Sequence, residues 1–293
     1  MFREIPTEIG IRSSAVLQNG LLACGYSQSD IRIFNTTDGV LVKSLSEPEI
    51  SFIYALAVLK NGHLASAGDN AIQIWNVNDG KIIRKLTGHT LEVNALAVFS
   101  NGNLASASSD MTIKIWNVND GTLIRTLSEH SLAVQSLAVL RNQNLASGSY
   151  DSTIKIWSPN DGRLIATLAG HDDIVVSLAV LKNGFLVSGT NDQTIEIWNT
   201  DTASLVRTLR RKTETAFSIV NSNQFAVLAT GYLATEGTYP DFSIDVWNPD
   251  NGYLVQSFPA HRDSISTFAV LQNGDLASGC MNDFSMKIWR NSK

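Results

Sequence analysis

Hydrophobic residues in this chain come in short runs separated by turn residues, and the stretch from Val93 to Leu127 shows the pattern most clearly. It opens with Val93-Asn94-Ala95-Leu96-Ala97-Val98, where small and apolar residues in both alternating sets suit a strand covered on both faces. Ser100-Asn101-Gly102 follows, and Asn-Gly between apolar runs marks a tight hairpin because both residues accept positive φ. Asn103–Ala107 predicts a second strand. Ser109-Asp110 then turns the chain into Thr112–Trp116, whose strict alternation is that of a half-exposed strand. Asn119-Asp120-Gly121 is another tight turn, and Leu123–Leu127 is the last strand. The predicted unit is a four-stranded antiparallel meander without a helix.

The unit recurs. Trp75, Trp116, Trp157 and Trp198 stand 41 residues apart, with Phe34 one interval upstream; Trp247, after a stretched interval of 49, and Trp289 complete seven copies. A fixed period of this size marks a repeat architecture. A sheet that is apolar on both faces has to stack on neighbours, so the copies either run on as a solenoid or close into a ring. The last copy supplies three strands, ending just after Trp289, while Phe2-Arg3-Glu4-Ile5 aligns with the fourth strand around Arg84-Lys85-Leu86. The expectation is an all-β fold: a closed ring of seven four-stranded antiparallel sheets, the last completed by the N-terminal strand, forming one domain over residues 1–293.

Composition narrows the partners. With 27 acidic against 22 basic residues the net charge is −5, which argues against a phosphate backbone as ligand. Arg210-Arg211-Lys212 is the only tight basic run and reads as a solvated loop. Two cysteines, Cys24 and Cys280, cannot build a disulfide framework, so both are expected free, buried and in a reducing compartment. The N-terminus lacks the apolar core of a secretory signal, and no run approaches the ~18–20 apolar residues that span a bilayer. A cytoplasmic protein that binds neither nucleic acid nor membrane is expected, with the nucleus as the other intracellular location.

Gly88-His89 and Gly170-His171 close fourth strands, Leu145–Ser149 reads Leu-Ala-Ser-Gly-Ser, and Thr153–Trp157 reads Thr-Ile-Lys-Ile-Trp. Repeated together, these motifs resemble the WD-repeat β-propeller family across the whole chain, which implies a seven-bladed propeller. The residue after the tryptophan departs from the family's Asp: it is Asn76, Asn117, Asn199 and Asn248, with Ser158 and Arg290 elsewhere. The resemblance also implies a hydrogen-bonded tetrad inside a blade. Its sets would be His89, Ser106, Asp110 and Trp116; His130, Ser147, Asp151 and Trp157; His171, Ser188, Asp192 and Trp198; and His261, Ser278, Asp283 and Trp289. Four near-identical His–Ser–Asp groups inside four sheets are structural, since a catalytic triad occurs once and faces a cleft. The His position holds Pro48 before the second blade and Lys212 before the sixth. In the first blade Cys24, Gln28 and Phe34 replace Ser, Asp and Trp, so that blade is expected to be the least tightly locked.

The usual carriers of catalysis are missing: no P-loop, no Gly-x-Gly-x-x-Gly, no His-Glu-x-x-His, no Cys-x-x-Cys. The expectation is a non-enzymatic protein with no catalytic residues, no metal and no cofactor. Function is then read from positions where the copies differ. In the resembled fold, the loops between outer and inner strands and the turns between second and third strands line one face, where partners dock. There Arg12, Phe52, Tyr54, Asn94, Gln135, Tyr150, Ile174 and Val176 form a candidate surface for a peptide or protein loop. The stretch Leu233–Pro240, with Thr235, Glu236 and Tyr239, is read as a loop insertion on the same face and a second candidate. The expected function is an interaction scaffold for protein or peptide partners, monomeric by itself within a larger complex. The alternative is a recognition or sensor propeller within a larger multidomain protein.

Overall fold

The structure is a computed structural model and describes residues 2–46, 51–192, 194–209, 225–237 and 242–290. These residues form seven four-stranded antiparallel sheets and no helix. The third blade shows how the repeat folds: Val93–Val98, Leu104–Ser108, Ile113–Trp116 and Leu123–Leu127 pair in sequence order. Its second and third strands each begin one residue later than the alternation predicts. The Asn-Gly turn before the second strand and the Asp-Gly turn after the third place Gly102 and Gly121 at φ of 90° and 82°.

The first strand of every blade touches the first strand of both neighbours, all the way round, so these strands form the inner wall of a closed ring. Closure runs as the repeat predicts. Phe2–Pro6 pairs with Ser285–Trp289 as the outer strand of the seventh blade, in register from Phe2 opposite Trp289 to Pro6 opposite Ser285. Inside the ring, the Ser14 and Thr267 hydroxyls meet at 2.8 Å across the same junction.

The core lies between blades rather than within them. Ile72, Ile74 and Leu86 of the second blade, for example, cluster with Val93, Leu104 and Trp116 of the third. Small residues on the second strands let the sheets approach: a Cβ on Gly148 would stand 2.6 Å from Val175 of the next blade. Trp75, Trp116 and Trp157 are among the largest side chains to be fully buried, and burial of such a ring stabilises by roughly 2–3 kcal/mol.

A second device ties neighbours together on the side of the ring opposite the outer-to-inner loops. Arg84, on the outer strand of the second blade, donates from Nη1 to the Asp120 carbonyl at 2.8 Å and from Nη2 to the Asn119 carbonyl at 2.9 Å, both in a turn of the third. Arg125 does the same to Asn160, and Arg207 to Asp250 and Asn251. Lys43 reaches the Val77 and Asn78 carbonyls one junction earlier. The equivalent outer-strand residue of the sixth blade is Gln256, and there a cleft of about 470 Å³ opens among Val255, Phe258 and Trp289.

Candidate interaction face

Two kinds of contact build the face that carries the loops between outer and inner strands. The first locks each loop to its own blade. In the third blade Trp116 Nε1 donates to Ser106 Oγ at 2.8 Å, Ser106 Oγ lies 2.8 Å from His89 Nε2, and His89 Nδ1 lies 2.8 Å from Asp110 Oδ2. Every group is satisfied if the serine hydroxyl donates to Nε2 and a neutral imidazole donates from Nδ1 to the carboxylate. Asp110 also accepts from the Thr90 and Thr112 backbone amides and from the Thr112 hydroxyl, so one carboxylate staples the loop before the blade to the turn within it. The same geometry holds for His130, Ser147, Asp151 and Trp157, and for His261, Ser278, Asp283 and Trp289.

Ionisation follows from this packing. Burial pushes the His89 and His130 imidazoles below their ordinary value despite the carboxylate beside each. Burial works to raise Asp110, Asp151 and Asp283, but the hydrogen bonds they accept prevail and hold all three below the usual carboxylate range.

The fifth blade departs from its expected set. His171 Nε2 lies 2.6 Å from Ser188 Oγ, and Trp198 donates to the same oxygen, yet His171 Nδ1 faces Glu196 Oε2 at 3.1 Å instead of Asp192. Asp192 turns outward and accepts from the Thr190 hydroxyl and the Thr194 amide. Position 196 corresponds to Lys114 and Lys155, whose ammonium groups donate to Thr126 and Thr167, so the third and fourth blades have no second carboxylate beside the imidazole. Burial lowers His171 to about 4.

The second kind of contact is a β-bulge. The register slips between Ile11 and Ser13, Val93 and Ala95, Val134 and Ser136, Val175 and Ser177, and Ile265 and Thr267. Arg12, Asn94, Gln135, Val176 and Ser266 are the extra residues, and Tyr54 holds the matching place in the second blade. A bulge re-aims its side chain and frees it from the ladder. Backbone bonds from Ser109 to Glu92, Tyr150 to Ala133 and Asn191 to Ile174 hold the adjoining turns beside these bulges.

Not every candidate surface residue is available there. Val176 is buried, on an inner strand flanked by those of both neighbouring blades, where an aliphatic side chain gains from leaving water. Asn94 is buried as well, because its amide donates to Ser109 Oγ and to the Val134 carbonyl of the next blade. Gln135, Tyr150 and Ile174 are half-buried. Burial raises the Tyr150 phenol, which is therefore neutral at neutral pH.

Arg12, Phe52 and Tyr54 come together across the junction of the first and second blades. The Arg12 guanidinium carbon sits 4.9 Å from the Phe52 ring centre and 5.3 Å from that of Tyr54, and the rings lie 5.9 Å apart. Arg12 Nε donates to Ser27 Oγ at 3.1 Å, the same bulge-to-turn bond that Asn94 makes with Ser109. Burial raises the Tyr54 phenol, with Arg12 opposing and Glu92 and Asp69 reinforcing the effect. All three side chains are half-buried.

The loop insertion also needs correction. Leu233–Glu236 is the second strand of the sixth blade, pairing with Phe225–Val227 and with Ser243–Trp247. Thr235 is buried and accepts from Trp247 Nε1 at 3.1 Å, taking the place of the tetrad serine. Glu236 accepts from the Ile265 amide of the seventh blade. Leu233-Ala234-Thr235 is thus a copy of Leu104-Ala105-Ser106 with threonine for serine. Tyr239 and Pro240 lie outside the described residues, as do Pro48 and Arg210–Lys212.

His261, Cys280 and Asp283 form the one group of three potential metal ligands among the described residues. Both nitrogens of His261 are already bonded, and burial pushes the Cys280 thiol up to about 12, so the sulfur is protonated. Cys280 and Cys24 are both free and buried. No helix is long and apolar enough to cross a membrane.

The family described as WD domain, G-beta repeat, matches residues 80–117, 121–158, 162–199 and 252–290, together just over half of the chain. No curated protein matches the sequence. Among solved structures, the WD40 beta-propeller domain of Doa1 is similar in fold, with a TM-score of 0.83 over 99% of this chain and 96% of that one, at 23% identity.

Proposed function

The chain belongs to the WD40-repeat family, whose propellers are in general protein-interaction scaffolds without enzymatic activity, and on that premise we propose that this protein binds a peptide or protein loop on the face bearing Arg12, Phe52, Tyr54 and Tyr150. The observation that carries the reading is the variety at the bulges. Flanking positions repeat as Ile or Val on one side and Ala, Ser or Thr on the other, while the bulge residues are Arg12, Asn94, Gln135, Val176 and Ser266, with Tyr54 at the matching place of the second blade. The fold asks for the flanks and leaves the bulges to be set by something else. Two half-buried aromatic residues side by side at this place fit a binding anchor.

The ring as a whole would act as one rigid unit, bringing partners together on its surface. Free, buried cysteines favour a reducing compartment, and we place the protein in the cytoplasm. The test compares affinity capture by the native chain with that by a Phe52→Ala, Tyr54→Ala, Tyr150→Ala variant, and with a variant altered only at Lys81 and Arg163, exposed charged residues that follow the turns on the opposite side. Partners lost with the aromatic residues and kept by the second variant support the face; identical recovery by all three proteins rejects it.

A further inference from the structure

We propose that Arg12 is the receptor for a carboxylate side chain, an aspartate or glutamate of the partner. This rests on the reading that the face around Phe52 and Tyr54 is the docking surface, and names the chemistry it selects.

Among the described residues, Arg12 is the only charged one at a bulge. Its position is fixed from two sides: the guanidinium lies over two aromatic rings, and Nε is held by Ser27. That arrangement leaves the two terminal nitrogens, which have no hydrogen-bond or ion-pair partner among the described residues. Arginines elsewhere that lie in a comparable setting are committed. Arg84 and Arg207 use their terminal nitrogens on backbone carbonyls, and Arg32, over the Tyr26 ring, has Asp30 at 3.6 Å. A guanidinium with its stem immobilised and its fork open loses little entropy on binding, and a planar carboxylate matches the fork with two parallel hydrogen bonds.

The same contacts argue against the reverse chemistry. Two neighbouring aromatic faces could receive a lysine or arginine from a partner, but the chain's own cation already occupies them. An incoming cation would have to displace Arg12 and break its bond to Ser27. A phosphate is also disfavoured. A dianion calls for more than one cation, and the neighbouring charges that act on Tyr54 besides Arg12 are the carboxylates Glu92 and Asp69.

The experiment uses the purified full chain and a display library of random linear peptides. The expected result is a set of enriched peptides sharing Asp or Glu at one fixed position. A synthetic copy with the amide in place of that acid should bind about tenfold or more weakly. Against Arg12→Gln, with its fold confirmed by a single cooperative melt, the acid and the amide should bind alike; Arg12→Lys should recover only part of the difference. Two further peptides carry phosphoserine and lysine at the fixed position. Tighter binding of the phosphoserine peptide assigns the site to phosphate, and tighter binding of the lysine peptide assigns it to a cation; either overturns the proposal. If Phe52→Ala, Tyr54→Ala abolishes binding while Arg12→Gln leaves the acid preference intact, the carboxylate inference fails and the face stands. Peptides indifferent to both variants, or no enrichment at all, would sink the face itself.

Discussion

Arg84 occupies the space that a side chain on Gly121 would need: a Cβ built on that glycine would lie 2.7 Å from Arg84 Cδ. The two residues belong to different blades, and the arginine reaches across to the carbonyls of Asn119 and Asp120 in the glycine's own turn. Gly162 stands in the same relation to Arg125, and Gly252 to Arg207. Gly121 is therefore required twice, for its φ of +82° and for the room it leaves.

Gly121→Ala should destabilise the protein more than Gly102→Ala does, because Gly102 has a similar φ but open space where its Cβ would be. The expected costs are about 2–3 and about 1 kcal/mol. In an Arg84→Ala background the Gly121 substitution should fall to the Gly102 level, so urea melts of the four proteins give a coupling of about 1 kcal/mol or more. Additive effects would contradict the contact.

One junction lacks the arginine and also lacks the glycine. Ala166 holds the arginine position of the fourth blade, and Ala203, at a φ of 51°, holds the glycine position of the fifth. Ala203→Gly should stabilise by roughly 0.5–1 kcal/mol by relieving the backbone. Ala166→Arg should help only when Ala203→Gly accompanies it. A gain from Ala166→Arg alone in thermal melts would show that the Cβ of residue 203 does not stand in the way.

Ser106→Ala removes the hydroxyl that both Trp116 and His89 use, and should cost about 2–3 kcal/mol. The first blade has Cys24 and Phe34 at the equivalent places and so has no such network to lose. Amide exchange should accordingly be faster in Leu22–Tyr26 and Asp30–Phe34 than in Leu104–Ser108 and Ile113–Trp116. Uniform protection across the ring would contradict this.

Acid should weaken the fold from the histidines first. His89, His130 and His171 have native values below 6.5, the last at about 4, so at pH 5 the unfolded chain binds more protons than the native one. Their contribution is complete above about pH 6.5 and is lost as pH falls; for His171 alone it amounts to about 1–2 kcal/mol by pH 5. Asp110 and Asp151, held below 3.8, add a further loss beneath that value. The urea midpoint should be flat from pH 8 to 7 and lower at pH 5, and an unchanged midpoint at pH 5 would refute the assignment of neutral native imidazoles.

The ring and its closure were legible because they depend on periodicity, and periodicity survives imperfect copies. Phe34 can stand for a tryptophan, and Phe2–Ile5 for a fourth strand, without blurring the count. What could not be read was direction. Asn94 and Val176 share the bulge with Arg12 and Tyr54, yet one is folded onto the next blade and the other is buried, and no repeat pattern says which way a bulged residue points. Thr235 reads as loop because threonine stands where serine marks the second strand elsewhere, while Glu196 faces His171 in the place of Asp192 from a buried strand face that the tetrad motif does not include. The inter-blade arginines do leave a signal in the sequence: Arg84, Arg125 and Arg207 each follow a blade tryptophan by nine residues, with Lys43 in step nine after Phe34, and the pattern breaks at Ala166 and Gln256.

Pairing Phe2–Pro6 with Ser285–Trp289 has a consequence for synthesis. Phe2–Pro6 is synthesised on the order of half a minute before its partner, at roughly 5–20 residues per second. Through that interval the first strand has no ladder to join, and six sheets must form as an open arc with an apolar flank at each end. Chaperones that shield strand edges would act on this arc, and the step that ends their work is the arrival of a single five-residue segment.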